Sequence, residues 1–190
     1  ATSVILPRNE KVVLFAATLV AENEPATTVA GTLFRTNNVG NAATAGNDEE
    51  AVRENILKRA KIIACSGYTN DEKPDFLLDG KTDTKWCDVS QTPNYVDFDL
   101  GEAQNISGWK MVNAGQESHS YITNGCFLQG KMNPGDEWTT LDAIDGNHAN
   151  VVSRPLNYDG KVRYIRLLVT RPTQSTGGRD TRIYELEVYK

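Results

Sequence analysis

From residue 61 onward, apolar and polar positions alternate in short runs separated by turn residues. Val96, Phe98 and Leu100 alternate with Asp97, Asp99 and Gly101, and Arg163–Val169 alternates in the same way. A period of two puts one set of side chains on a buried face and the other in water, as in an antiparallel sheet packed on one side. The apolar segments Lys61–Cys65, Tyr95–Leu100, Ile106–Val112, Gly125–Gln129, Trp138–Ile144, Val162–Thr170 and Ile183–Tyr189 are expected strands. Asp79-Gly80, Gly101, Asn133-Pro134-Gly135, Asp145-Gly146-Asn147, Asp159-Gly160 and Gly177-Gly178 punctuate them. About eight short strands with such breaks imply an all-β sandwich or barrel.

The first sixty residues have a different pattern. Lys11–Glu22 and Thr27–Arg35 are rich in Val, Leu, Thr and Phe, and Asn23-Glu24-Pro25 breaks them, so two loosely paired strands are expected. Residues 37–47 are small and polar, as a linker would be. A short helix is expected over about 48–60. Asn47 caps it, Glu50 completes a capping box, acids open it, and Lys58, Arg59 and Lys61 close it. Residues 1–60 therefore read as an N-terminal extension, part of a preceding domain or a cap, and 61–190 as the sandwich.

Composition narrows the functions. A net charge of -5 leaves no basic face for displacing counterions, so nucleic acid is not an expected partner. The longest apolar stretch, Val12–Ala21, is far short of the ~18 residues a spanning helix needs, so a membrane partner is not expected either. Arg8 and Lys11 before that stretch loosely imitate a signal peptide, but Glu10 interrupts the charged part. The chain is expected to be a piece of a longer protein.

The three cysteines have no CxxC spacing. Cys65 and Cys126 fall in expected strands, as small buried hydrophobes would. His119 and His148 are the only histidines, and nothing places either beside a thiol. There is no G-x-S-x-G, no H-E-x-x-H and no phosphate loop. No catalytic residue is assigned.

Five ordered pieces carry a family resemblance. Phe76–Trp86 contains an Asp-Gly turn followed by Thr84 and Trp86. Tyr95-Val96-Asp97-Phe98-Asp99-Leu100-Gly101 is a strand ending in a turn, and Ile106–Trp109 follows it. Val162-Arg163-Tyr164-Ile165-Arg166-Leu167 and Ile183-Tyr184-Glu185-Leu186-Glu187-Val188-Tyr189 close the series. Residues 61–190 resemble the discoidin, or coagulation factor 5/8 type C, domain, the fold of the family 32 carbohydrate-binding modules. The resemblance implies an antiparallel jelly-roll β-sandwich of the galactose-binding-domain-like kind, with recognition by loops at one end and no catalysis. It further implies a secreted, periplasmic or cell-surface module of a bacterial glycoside hydrolase. The expected partners are a glycan and the catalytic domain of the parent chain.

The resemblance also implies a structural calcium. Its ligands would be the Phe76 carbonyl, the Asp79 carboxylate, Thr84, the Tyr184 carbonyl and the Glu185 carboxylate. A hard cation wants six or more oxygens, and this set supplies them. Family members often carry Asn or Asp two residues after the turn Asp; here Lys81 stands there and has only its carbonyl to offer.

Sugar recognition calls for an exposed ring and nearby polar side chains. Tyr68, Asp88, Asn113, Glu117, His119, Tyr121, Arg179 and Arg182, all in or beside polar loops, are the candidates. Tyr68 and Tyr121 are the expected stacking rings, whereas Trp86, Trp109 and Trp138 are expected to pack. Galactose-binding members often carry His directly after the signature Trp; here Cys87 stands there. The alternative is a structural or protein-interaction domain with no sugar site. Lipid binding by apolar spikes does not fit loops this polar.

Overall fold

The computed structural model describes residues 53–190. The strands and linker expected over 1–47 lie outside the described residues. So does the start of the expected helix. From residue 53 the chain forms a single 3-10 turn, Ile56–Arg59, in place of an α-helix. The reason is visible in the burial. Ile56 and Leu57, adjacent in sequence, are both buried against the sandwich core, which a tight turn achieves and a long amphipathic helix does not need. The Asn55 carboxamide oxygen accepts from the backbone N–H groups of Leu57 at 3.1 Å and Val188 at 3.2 Å. One side chain thus caps the turn and ties it to the last strand.

Leu57 is fully buried. Leu57→Ala is expected to cost about 2–5 kcal/mol, because the removed methyls leave a cavity that a sandwich fills poorly. Urea unfolding would read this as a lower midpoint with an unchanged slope. A loss below ~1 kcal/mol would mean that the turn is an appendage and no part of the core.

Nine strands follow: β1 Lys61–Cys65, β2 Trp86–Asp88, β3 Asn94–Asn105, β4 Gly108–Asn113, β5 Gly125–Lys131, β6 Thr139–Ile144, β7 Val151–Pro155, β8 Lys161–Arg171 and β9 Thr181–Tyr189. They form two antiparallel sheets, ordered β1-β3-β8-β5-β6 and β2-β9-β4-β7. The expected sandwich is the observed architecture. Two of its strands were not legible in the alternation. Trp86, Cys87 and Asp88 of β2 are all buried, so no in–out pattern exists to read. β7 is a sheet edge on which only Val152 is buried, and it ends at Pro155, which suits an edge strand.

The inner faces supply one core. Val96 and Phe98 of β3 and Ile165, Leu167 and Val169 of β8 meet Trp109 and Met111 of β4 and Ile183, Leu186 and Val188 of β9. Trp86 and Trp109 are fully buried, as expected. The indole of Trp109 donates to Asp142 at 2.8 Å, and that of Trp86 to the Gly67 carbonyl at 2.9 Å.

The outer face of the five-stranded sheet carries the polar half of the alternation. Arg166 makes two bonds to Asp97, at 2.6 and 2.7 Å, and Arg163 two to Asp99, at 2.9 and 3.0 Å. Trp138, expected to pack inside, lies on this wet face. Its ring meets Lys131 Nζ at 4.6 Å and the Arg166 guanidinium at 4.5 Å. It precedes β6 in sequence, so the inward register of that strand does not reach it.

Register fixes which loops gather. β1 ends where β3 begins, at Cys65 opposite Val96, and β8 ends there too, with Val169 opposite Asn94. β5 begins opposite Arg171, β6 ends opposite Cys126, and β9 begins opposite Asp88. The segments 89–93, 114–124, 145–150 and 172–180 therefore crowd one end of the sandwich, together with the chain leaving β1.

Candidate functional site

Three of those loops are tied together by carboxamides. Asn113 is fully buried. Its amide donates to the Asn150 carbonyl at 3.0 Å, and its oxygen accepts from Thr123 N–H at 3.1 Å. Asn147 donates to the Thr123 carbonyl at 2.9 Å. Gln174 Nε2 donates to the carbonyls of Ile122 and Asn147, both at 2.8 Å. The segments 114–124, 145–150 and 172–180 are thus one preorganised surface.

These facts correct two expected ligand residues. Asn113 has its polar atoms consumed by the scaffold. Asp88, also buried, accepts from Ser66 Oγ and from the Ser90 amide at 2.8 Å. Both sit at strand ends, where the last side chain turns inward to close the loops, and both are buried.

Glu117, Tyr121 and Arg182 come together on the outer face of the four-stranded sheet. The Arg182 guanidinium lies 4.0 Å from the Tyr121 ring centroid and bonds Asp180 at 3.0 Å. Tyr121 packs on Val112, Ala114 and Tyr184. One of its faces is therefore taken by a cation, whereas no cation among the described residues stacks on the ring of Tyr68. Glu117 accepts from Tyr184 Oη at 2.6 Å and from Lys85 Nζ at 2.9 Å. Lys85 also pairs with Glu72 at 2.9 Å. Burial pulls the Lys85 ammonium down, but its bonds to Glu117 and Glu72 outweigh that and hold it up, at about 12. Burial likewise raises Glu117, yet the Tyr184 and Lys85 bonds leave it below the usual carboxylate range.

Tyr68 is 53% exposed at this end, in the segment leaving β1. Thr69 N–H bonds the Cys87 carbonyl at 2.9 Å, which pins that segment beside β2. His119 and His148, from neighbouring loops, hold their rings nearly parallel with centroids 6.4 Å apart. Arg179 is exposed in the β8–β9 loop. Cys87 is buried, and burial followed by a bond to Glu72 pushes its thiol up to about 12. Cys87 lies opposite Arg182, on the outer face of the sheet, and a protonated, buried thiol is a poor nucleophile.

The β8–β9 loop also walls a cleft of about 430 Å³. Thr92, Asn124, Thr170, Thr173, Ser175 and Thr176 line it, with Arg171 at its side. Gly177 has a positive φ of 79°, and a Cβ on Gly178 would meet Thr173 Oγ1 at 2.0 Å. The two glycines let the loop fold back on itself, and two of the hydroxyls are spent on the scaffold: Thr173 Oγ1 donates to the Ser175 carbonyl at 3.0 Å and Thr170 Oγ1 to the Gly125 carbonyl at 3.3 Å.

At the side of the four-stranded sheet, Asp79 and Glu185 are brought together as expected. Asp79 accepts from Thr84 Oγ1 at 2.6 Å and from Lys81 N–H at 2.9 Å, and Glu185 accepts from the same N–H at 2.8 Å. Lys81 therefore enters through its backbone donor, between the two carboxylates, and not as an oxygen ligand. Burial, then the neighbouring Asp79, pushes Glu185 up to about 7. Burial raises Asp79 too, but the bonds from Thr84, Glu185 and Lys81 outweigh it and leave it low. Among the described residues no group of three or more His, Cys, Asp and Glu side chains forms a metal site. The pair is nonetheless all hard oxygen, with Thr84 beside it and the backbones of Phe76 and Tyr184 in the adjoining segments, and two acids share one proton's worth of relief. That donor set fits a hard cation.

The F5/8 type C domain model matches residues 61–186. The chain belongs to this family. Among solved structures, it is similar to the family 32 carbohydrate-binding module from Streptococcus pneumoniae EndoD, with 25% identity and a TM-score of 0.62 over 72% of this chain and 99% of that one. It is also similar to chitosan-binding module 2 of a Paenibacillus sp. IK-5 chitosanase/glucanase, solved with chitotriose, at 20% identity and TM-score 0.59 over 72% of this chain and 100% of the other. The family 32 module of Clostridium perfringens NanJ, solved with galactose, matches at 16% identity and TM-score 0.59 over 73% and 100%. No curated protein matches the chain. The F5/8 type C sandwich, shared with the carbohydrate-binding modules, thus accounts for the described strands.

Proposed function

We propose that residues 61–190 are a non-catalytic carbohydrate-binding module that holds a larger secreted glycoside hydrolase near its glycan. The observation that carries this is Tyr68, a half-exposed ring on a rigid loop end that is otherwise polar and hydroxyl-rich. A sugar presents a C–H face to a ring and hydroxyls to amides and alcohols, and this surface offers both. Weak, reversible contact is enough, because tethering raises the effective concentration of the parent catalytic domain at its substrate. Calcium held by Asp79, Glu185 and Thr84, with the carbonyls of Phe76 and Tyr184, would be structural. It would neutralise two close carboxylates and pin the Asp-Gly turn to β9.

A glycan array followed by calorimetric titration tests this. Tyr68→Ala is expected to weaken the bound sugar about tenfold, or ~1.4 kcal/mol, with thermal stability unchanged because the ring is exposed. The absence of binding to any array sugar would leave the structural or protein-interaction reading in place. The buried Cys87, where galactose-binding relatives often carry His, supports that second reading.

A further inference from the structure

The only two histidines of the chain stand together at the loop end, and we infer that they form a two-nitrogen site for a borderline divalent cation such as Zn²⁺, separate from the oxygen donors around Asp79 and Glu185. His119 opens the 3-10 turn His119–Tyr121, and His148 lies between β6 and β7. Both side chains are exposed. Their rings are parallel to within 8°, with centroids 6.4 Å apart. Among the described residues neither imidazole is held by a hydrogen bond or a salt bridge, so an incoming ion displaces no partner. The backbones that carry the rings are fixed. Ser118 Oγ accepts from Ser120 N–H at 3.3 Å, the His119 carbonyl from Ile122 N–H at 3.3 Å, and the Ser120 carbonyl from Gln174 N–H at 3.1 Å. On the other side, the Asn147 carboxamide donates to the Thr123 and Ala149 carbonyls at 2.9 and 3.0 Å and accepts from Ala149 N–H at 2.9 Å. The scaffold therefore sets the separation of the rings, and binding orders little beyond the two side chains. Neutral imidazole suits zinc, copper and nickel, whereas calcium takes oxygen. With a metal–nitrogen bond of ~2.0–2.1 Å, each ring centroid lies ~3.2 Å from the ion, and a tetrahedral angle puts the two centroids ~5.2 Å apart. The rings have to approach by about 1 Å, which small side-chain rotations at exposed positions supply. Among the described residues no third His, Cys, Asp or Glu completes the group. The other positions of the ion belong to water, and the ion ties segment 114–124 to segment 145–150.

Calorimetric titration of the untagged full chain with zinc chloride tests the inference, with millimolar calcium present to compete at the Asp79–Glu185 pair. One ion per chain is expected, with a dissociation constant below ~0.1 mM at pH 7.5. His119→Ala and His148→Ala are each expected to weaken it at least about tenfold. The double substitution should lose little more than either alone, because a chelating pair acts as one unit. Lowering the pH from 7.5 to about 5.5 is expected to weaken binding, since only the neutral ring ligates. Zinc should raise the melting temperature of the wild type and leave that of both single variants unmoved. Both positions are exposed, so the zinc-free melting temperatures of the variants should match the wild type, which keeps a loss of binding apart from a loss of fold. Zinc binding that survives either substitution, or losses that simply add in the double variant, overturns the pair. Wild-type binding no tighter than ~0.1 mM overturns the site. The glycan-binding reading rests on Tyr68 and stands or falls apart from these outcomes.

Discussion

Trp109→Ala is expected to remove about 3–5 kcal/mol of unfolding free energy, a large share of what a single domain has. Two separate losses combine there. Trp109 is fully buried between the sheets, so the substitution opens a cavity in the core it shares with Phe98, Leu128 and Leu186, and such a core collapses only in part. The second loss is the 2.8 Å bond from its indole to Asp142. Asp142 is not orphaned, because Arg154 still gives it two bonds, at 2.6 and 2.9 Å. Trp109→Phe separates the terms. It restores most of the volume and none of the bond, and should cost only about 1–2 kcal/mol. Urea midpoints for the two variants decide the matter. If Phe proved as costly as Ala, the polar bond and not the packing would dominate, and this account of the core would be wrong.

That core shows what the sequence made legible. Where a strand alternates, as at Val96–Leu100 and Ile165–Val169, its faces could be assigned before any coordinates, and the bidentate Asp97–Arg166 pair sits on the wet side so assigned; Arg163 shares the parity of Ile165, Leu167 and Val169, yet it pairs with Asp99. β2 and β7 escaped because burial on every residue and burial on almost none both erase the period. The helix expected near residue 56 failed for a related reason. Ile56 and Leu57 fit helical spacing, but two consecutive buried residues fit a tight turn against a core better.

The binding candidates were harder to read, because a polar residue in a loop looks the same whether it faces a ligand or holds the loop. Asn113 and Asp88 hold loops. Tyr121 was indistinguishable from Tyr68 until Arg182, more than fifty residues away in sequence, was found on its ring. The carboxylate pair was reachable only through family resemblance, since no local spacing brings residue 79 to residue 185.

That pair sets the second large expectation. In the presence of a chelator, stability is expected to fall as pH rises from about 4.5 to above 7, by on the order of 2–3 kcal/mol from this site. Glu185 titrates near 7 in the folded chain, above its ordinary 4.5, because it is buried and faces Asp79. The folded state therefore binds the proton more tightly than the unfolded state does. Its contribution is fully present below the unfolded pKa and is lost as pH rises through about 7. Asp79, Glu117, Asp99 and Asp142 are all held low and act in the opposite sense at acid pH. The informative quantity is therefore the difference between wild type and Glu185→Gln, which removes the one raised carboxyl. Thermal melts of both proteins across pH 4–8 should diverge from about pH 4.5 upward and be furthest apart above about pH 7, with the Gln variant relatively more stable at the alkaline end. Under the proposed calcium role, millimolar calcium stabilises the wild type at pH 7.5, has little effect at pH 5 and acts much less on Glu185→Gln, because the cation takes the place of the shared proton. Parallel melting curves for the two proteins in chelator would sink the carboxylate-pair account. Equal calcium responses would sink the metal role while leaving the titration intact.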